Sequence, residues 1–182
     1  MSTLIIFRHR QSIWNLENKF TGWVDVELSP KGIEEAKAAG EKLKGFSVDI
    51  AYTSPLIRAK QTLDEIKKIL NISGIPTFEN AALNERDYGI HTGKNKWDIQ
   101  KEVGSEQFRK IRRGWDVPIE KGESLKDVYN RVIPYYQTQI LPKLKDGRNI
   151  LISAHGNSLR SLVKYLENIS DVDVENLEIP TG

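Results

Sequence analysis

Cysteine is absent from the 182 residues, which excludes disulfides, thiolate metal sites and thiol nucleophiles together and fits a reducing compartment. Long apolar runs are missing as well. No window approaches the ~20 residues of a membrane span, and the run Leu4-Ile5-Ile6-Phe7 is too short for a signal-peptide core. Nor is there an excess of charge of one sign: Lys+Arg 27 against Asp+Glu 25 leaves +2, so neither nucleic acid nor a membrane surface is expected as a partner. The local exception is the basic run Arg109-Lys110-Ile111-Arg112-Arg113. Histidine is scarce, at three. What remains is a chain of ordinary hydrophobic content that can bury one core, so a single cytoplasmic domain over residues 1–182 is expected.

Short apolar segments at 4–7, 50–53, 75–79 and 149–153 read as buried strands. Helical patterns lie between them. Ser29-Pro30 is an N-cap followed by proline at the first helical position, with Ile33, Ala36 and Leu43 on one face until Gly45. Ser54-Pro55 looks like the same device ahead of Leu56, Ala59, Leu63, Ile66 and Leu70. Ser124 opens a helix to about Leu141, which Pro134 should kink or interrupt, and Asn157-Ser158 should cap a last long helix. Strands alternating with helices predict a three-layer α/β/α sandwich around a mostly parallel sheet. Residues 80–122 fit this scheme poorly, with only weak helical patterns at 95–103 and 105–113, and read as a functional insertion over the sheet edge.

Two of the three histidines stand directly behind buried strands, in Arg8-His9-Arg10-Gln11 and in His155-Gly156-Asn157. Ligands of open α/β sheets bind at that carboxyl edge, so His9 and His155 can meet there, whereas His91 reads as a structural loop residue. A metal site is not expected, because the histidines are dispersed and lack a carboxylate at ligand spacing. A neutral imidazole can attack phosphorus, and without a metal the charge must be held by fixed cations and N–H donors. Arg8, Arg58 and the helix N-terminus after His155 are candidates, and Glu85 in Leu83-Asn84-Glu85-Arg86 is a candidate acid.

Further strings carry a resemblance: Ser12 with Trp14-Asn15, Phe20-Thr21-Gly22-Trp23-Val24-Asp25, Ala51-Tyr52-Thr53-Ser54 with Arg58-Ala59, Leu83 to Gly89, Gly93 to Lys96, Arg112-Arg113, Gly122-Glu123-Ser124-Leu125 and Ala154 to Arg160. In this order they cover nearly the whole chain, which resembles the cofactor-dependent phosphoglycerate mutases of the histidine phosphatase superfamily. The resemblance implies a phosphoglycerate mutase-like fold and interconversion of 3-phosphoglycerate and 2-phosphoglycerate, in glycolysis and gluconeogenesis. It implies that 2,3-bisphosphoglycerate primes the enzyme and that no metal is used. His9 would be the phosphorylated nucleophile. Arg8, Arg58 and His155 would hold the transferring group, with Asn15 and the backbone at Gly156 assisting, and Glu85 would donate and accept the proton. Ser12, Thr21, Gly22, Tyr88, Lys96, Arg112, Arg113 and Asn157 would grip the rest of the phosphoglycerate. A homo-oligomer is compatible with the sequence, which does not fix the state of association.

The chain departs from the family at three places. Arg10 and Gln11 stand where relatives have glycine and commonly glutamate. If that backbone needs φ > 0, arginine there costs roughly 1–2 kcal/mol; otherwise Arg10 points outward. The segment between Trp115 and Glu123 is short, so dimer contacts of longer relatives are not assumed. The C-terminal strand and mobile tail of the family are absent from the sequence after Ile179-Pro180-Thr181-Gly182. Two alternatives remain: a phosphatase of the same superfamily, with water as acceptor, and a catalytically impaired phosphosugar-binding relative.

Overall fold

A computed structural model describes residues 2–180. Its sheet runs β1 (Leu4–Arg8), β4 (Ile150–Ala154), β2 (Ile50–Thr53), β3 (Thr77–Glu79), with every pairing parallel. The helices are α1 (Ile13–Leu16), α2 (Pro30–Lys42), α3 (Ile57–Leu70), α4 (Lys96–Val103), α5 (Ser105–Arg113), α6 (Leu125–Tyr135), α7 (Leu141–Lys145) and α8 (Gly156–Leu166). Side chains alternate across the sheet. Ile5, Phe7, Ala51 and Leu151 pack with Ala39 of α2, its C-cap Leu43, and Leu63 and Ile66 of α3. Leu4, Ile6, Ile50, Tyr52, Ile150 and Ile152 pack on the other face with Val128 and Val132 of α6 and Leu159 and Leu162 of α8. These two cores make the expected α/β/α sandwich, and each fully buried aliphatic side chain contributes about 1.5–3 kcal/mol to it. Among the described residues no helix is long and apolar enough to cross a membrane.

The register decides where the chemistry gathers. Arg8 pairs with Ala154 and Thr53 with Ser153, so His9, His155 and Ser54 all leave the same carboxyl edge. The segment over that edge is built of α4, α5 and short 3₁₀ turns at Ala81–Leu83 and Gly89–His91, where only weak helical patterns were expected.

Two helix starts differ from the sequence expectation, while the interruption expected near Pro134 is present. Helix α2 is capped by Ser29 as anticipated, but α3 begins at Ile57, and its first N–H donates to Asp25 Oδ1 at 2.6 Å rather than to Ser54. The cap is supplied by a carboxylate distant in sequence, which no local pattern announces. At α8 the N-cap is His155, and Ser158 is the third helical residue, its Oγ accepting the His155 N–H at 3.1 Å. The helix from Ser124 is interrupted by a π segment, Tyr136–Ile140, lying between Pro134 and Pro142. Pro142 has no N–H for the carbonyl one turn earlier, so the Leu141 N–H reaches back five residues to Tyr136.

Candidate active site

His9 is the last link between β1 and the loop that follows. Its N–H donates to Ala154 O at 2.8 Å, and its ring Nδ1 lies 2.7 Å from Arg10 O. A carbonyl only accepts, so Nδ1 carries the proton and Nε2 keeps its lone pair. The loop is fixed from below. The Arg10 N–H donates to Thr62 Oγ1 at 3.1 Å, the Ser29 N–H to Gln11 O at 2.9 Å and the Ser29 hydroxyl to Gln11 Oε1 at 2.8 Å. Gly32 lets α2 approach this closely, since a Cβ there would sit 2.1 Å from Gln11 O.

His155 stacks obliquely beside His9, with ring centroids 5.0 Å apart, and its Nε2 lies 2.7 Å from Ser54 Oγ. Burial, then the cations Arg58 and Arg8, hold His9 well below the ordinary histidine value, and burial, then Arg58 and His9, do the same for His155. Both rings are therefore neutral at pH 7, as a nucleophile must be.

Cations line the cavity around His9. Arg58 is fully buried and donates to Gly22 O at 2.8 Å and Val24 O at 3.0 Å; burial pulls it down to about 10, so it stays charged at neutral pH. Gly22 sits at φ +54, a left-handed conformation that glycine accepts freely and that turns its carbonyl toward Arg58. Arg8, Lys96, Arg112 and Arg113 complete the basic wall. Lys96 is drawn down to about 8 by burial and by its neighbours Arg112 and Arg8. Glu85 is the carboxylate in this wall: its Oε1 accepts from the Asn157 N–H at 3.1 Å, from Asn157 Nδ2 at 2.9 Å and from the Arg86 N–H at 2.8 Å. Gly156 lies between Arg8 and Glu85: a Cβ there would make ordinary contact with Arg8 Nε and Glu85 Oε2.

One nitrogen each from His9 and His155 and one oxygen of Glu85 lie within 4.8 Å of one another. This corrects one premise of the sequence reading: the fold supplies the carboxylate partner that spacing did not reveal. The surrounding charge nevertheless favours an anion, since Arg8, Arg58 and Lys96 face the same space. The Nε atoms of Arg8 and Arg58, Thr21 Oγ1 and His155 Nδ1 are buried without a hydrogen-bond partner among the described residues. Such a cluster of unspent polar atoms fits a group rich in acceptor oxygens.

A profile of the histidine phosphatase superfamily (branch 1) matches residues 4–182. The chain belongs to this superfamily. It is similar to proteins named 2,3-bisphosphoglycerate-dependent phosphoglycerate mutase from Bradyrhizobium diazoefficiens, at 50% identity over 98% of this chain and 87% of the relative, and from Cytophaga hutchinsonii, at 51% over 100% and 85%. Among solved structures it superposes on Bacillus stearothermophilus YhfR with TM-score 0.86 and 25% identity, over 100% of this chain and 88% of that one.

In this member of the superfamily, most of the anticipated residues converge. Arg8, His9, Asn15, Thr21, Gly22, Arg58, Glu85, Tyr88, Lys96, Arg112, Arg113, Gly156 and Asn157 all line one cavity, with His155 buried behind His9. Ser12 is not at the wall. It caps α1, its Oγ accepting the Asn15 N–H at 3.2 Å. The basic run divides as a helix must: Arg112 and Arg113 face the cavity, while Lys110 pairs outward with Glu106 and Arg109 with Asn176.

Arg10 neither takes a positive φ nor points outward. It is 3% exposed, with its guanidinium 5.1 Å from the Phe7 ring and an attractive charge in Glu35. The side chain turns under the loop toward α2, and with no positive φ the conditional backbone strain does not arise.

Sequence reasoning left out Lys19, Phe20, Arg160 and Ile179, which also line the cavity. Arg160 is 2% exposed and donates to Asn157 Oδ1 at 3.1 Å and to Leu177 O at 3.1 Å, tying the Glu85 partner to the chain's last turn. Arg131 escaped notice too. It clasps Glu123 with two hydrogen bonds and donates to Glu85 O at 2.9 Å, while Trp23 Nε1–H donates to the same oxygen at 2.6 Å. Phe20 and Arg160 lay inside quoted strings; a mid-helix arginine such as Arg131 carries no local signal.

Proposed function

We propose that this chain interconverts 3-phosphoglycerate and 2-phosphoglycerate through a phosphohistidine at His9, as a 2,3-bisphosphoglycerate-dependent phosphoglycerate mutase of glycolysis and gluconeogenesis working in the cytoplasm. The observation that carries this reading is His9 itself. Its Nδ1–H is committed to Arg10 O at 2.7 Å, and its free Nε2 stands among cations, with the Glu85 carboxylate grouped with the two imidazoles within 4.8 Å. Identity near 50% to mutase-named relatives over nearly the full chain supports the substrate.

The Nε2 lone pair attacks phosphorus, the bond to the leaving oxygen breaks, and Glu85 gives that oxygen its proton. In the reverse direction Glu85 takes the proton of the accepting hydroxyl as the phosphoryl group leaves His9. Arg8, Arg58 and His155 hold the charge on the transferring oxygens, a preorganised arrangement in which each donor is worth about 10²–10³-fold in rate. Thr21, Gly22, Tyr88, Lys96, Arg112, Arg113 and Asn157 hold the carboxylate and the phosphate that the substrate brings, with Asn15 and the Gly156 backbone beside the phosphoryl group that moves on and off His9. The same cations and unspent donors suit 2,3-bisphosphoglycerate, which supplies the phosphoryl group that first charges His9. No metal enters this scheme, because the cations already fixed in the wall do its electrostatic work.

Incubation with bisphosphate labelled in its phosphoryl groups, followed by a coupled assay for 2-phosphoglycerate, tests the proposal. Acid-labile label on the wild type, none on His9→Ala, and turnover that depends on added bisphosphate are expected. Label released to water faster than product forms would make the protein a phosphatase, and no label at all would make it a binding protein.

A further inference from the structure

Ser54 lies at the exit of β2, fully buried, and is not among the residues lining the cavity around His9. Its Oγ is 2.7 Å from His155 Nε2 and also accepts the Leu56 N–H at 3.3 Å. A hydroxyl has one proton and two lone pairs. With one lone pair facing the Leu56 N–H, the proton is free to point at an acceptor, and Nε2 is the acceptor in reach. The opposite arrangement, Nε2–H donating to Oγ, leaves the serine proton with no acceptor among the described residues. It would also turn a bare Nδ1 lone pair toward the transferring group.

His155 is neutral, since burial and the cations around it, Arg58, Arg131 and Arg8, oppose a charge, with His9 beside it. Glu85, whose oxygen lies within 4.8 Å of a nitrogen of this ring, makes no hydrogen bond to it, and Ser54 is the ring's hydrogen-bond partner among the described residues. A neutral imidazole that accepts at Nε2 must carry its proton on Nδ1, and Nδ1 is the ring nitrogen left without a partner among the described residues.

We infer that Ser54 is a positioning residue that holds His155 as the Nδ1–H tautomer, so that a neutral imidazole donates a hydrogen bond to the phosphoryl group moving on and off His9. This rests on the phosphohistidine reading. Arg8 and Arg58 already supply the positive charge; Ser54 ensures that the histidine beside them presents a proton and not a lone pair. The device costs no burial of a further cation next to the nucleophile.

Nitrogen-15 NMR of histidine-labelled protein tests the inference, with His155 assigned by comparison with His155→Gln. In the unliganded wild type, Nδ1 should show the shift and one-bond proton coupling of a protonated ring nitrogen, and Nε2 the shift of an unprotonated one. In Ser54→Ala, which removes one oxygen, the ring should become a tautomeric mixture and label transfer to His9 should slow by about 10–10²-fold, less than the ~10²–10³-fold of losing a donor outright. A wild-type spectrum with the proton on Nε2 or on both nitrogens would overturn the inference, as would an unchanged tautomer and rate in Ser54→Ala. The spectrum is read without ligand, so failure of the phosphohistidine reading would show separately, as absence of label on the wild type.

Discussion

His9 Nδ1 and the Arg10 carbonyl oxygen are 2.7 Å apart, while the Arg10 side chain lies over the Phe7 ring on the far side of the loop. The His9 ring is thus oriented by the backbone of a residue whose side chain never reaches the cavity. Arginine can stand here because the loop uses its backbone, the carbonyl toward His9 and the N–H toward Thr62, and not its side chain, to orient the ring.

Arg10→Gly should therefore leave kcat/KM within tenfold of wild type. It removes the cation facing Glu35 and frees the backbone, so the melting temperature should fall, by an amount corresponding to about 0.5–1 kcal/mol from the glycine alone. A larger fall in kcat/KM would show that Arg10 binds substrate.

Glu85→Gln should slow phosphoryl transfer about 10²–10⁴-fold, the range for losing a proton donor and acceptor. Gln keeps the acceptor oxygen that takes the Asn157 and Arg86 donors, so substrate affinity should change little. Single-turnover transfer and equilibrium binding, measured together, separate the two effects; a loss of affinity alone would make Glu85 structural.

Gly32→Ala places a Cβ 2.1 Å from Gln11 O, a backbone atom that cannot swing aside. The loop after His9 must shift or α2 must retreat. We expect a loss of about 1–3 kcal/mol in stability, as for other overpacked sites, and a fall in kcat of tenfold or more. Denaturant unfolding and turnover check both, and full activity would mean that the loop tolerates displacement.

Lys96, held down to about 8, is charged at neutral pH and loses its charge as the pH rises through that value. Affinity for the anionic substrate should weaken there, so KM should rise above about pH 8 while kcat is less affected. Lys96→Arg should move that rise to higher pH. An identical KM profile in the variant would exclude Lys96 as its source.

His9 and His155 are depressed in the folded protein, so above the ordinary value of 6.5 both states hold them neutral and stability is intact. Below it the unfolded chain takes up protons that the folded chain refuses. Stability should fall as the pH drops from 6.5 toward the folded values, by up to about 1.4 kcal/mol per pH unit for each ring. Denaturation curves of wild type and His155→Gln should differ in this slope, and parallel curves would refute it.

The Arg-His and His-Gly strings at two strand exits were legible because a strand's end is a local event: apolar residues stop and charge begins. Parallel register then turned two distant strings into neighbours, since Arg8 and Ala154 pair and the next residues are His9 and His155. Ser29 at α2 was legible for the same reason, its Oγ capping Gly32 three residues on. The start of α3 was misread, because its cap came from Asp25, across a loop.

What the sequence determined by itself was the layer order, the strand exits and the two histidines behind them, since periodicity and the end of an apolar run are carried by neighbours along the chain; most of the other residues around His9 were anticipated only through the resemblance of their strings to a family. Tertiary structure alone decided the rest. It set which imidazole nitrogen is free, turned Arg10 under the loop, split the basic run between cavity and solvent, and recruited Ser54, Arg131 and Arg160 as supports. These outcomes depend on which donor meets which acceptor across gaps of up to 101 residues, as between Ser54 and His155, and no local pattern encodes such a meeting.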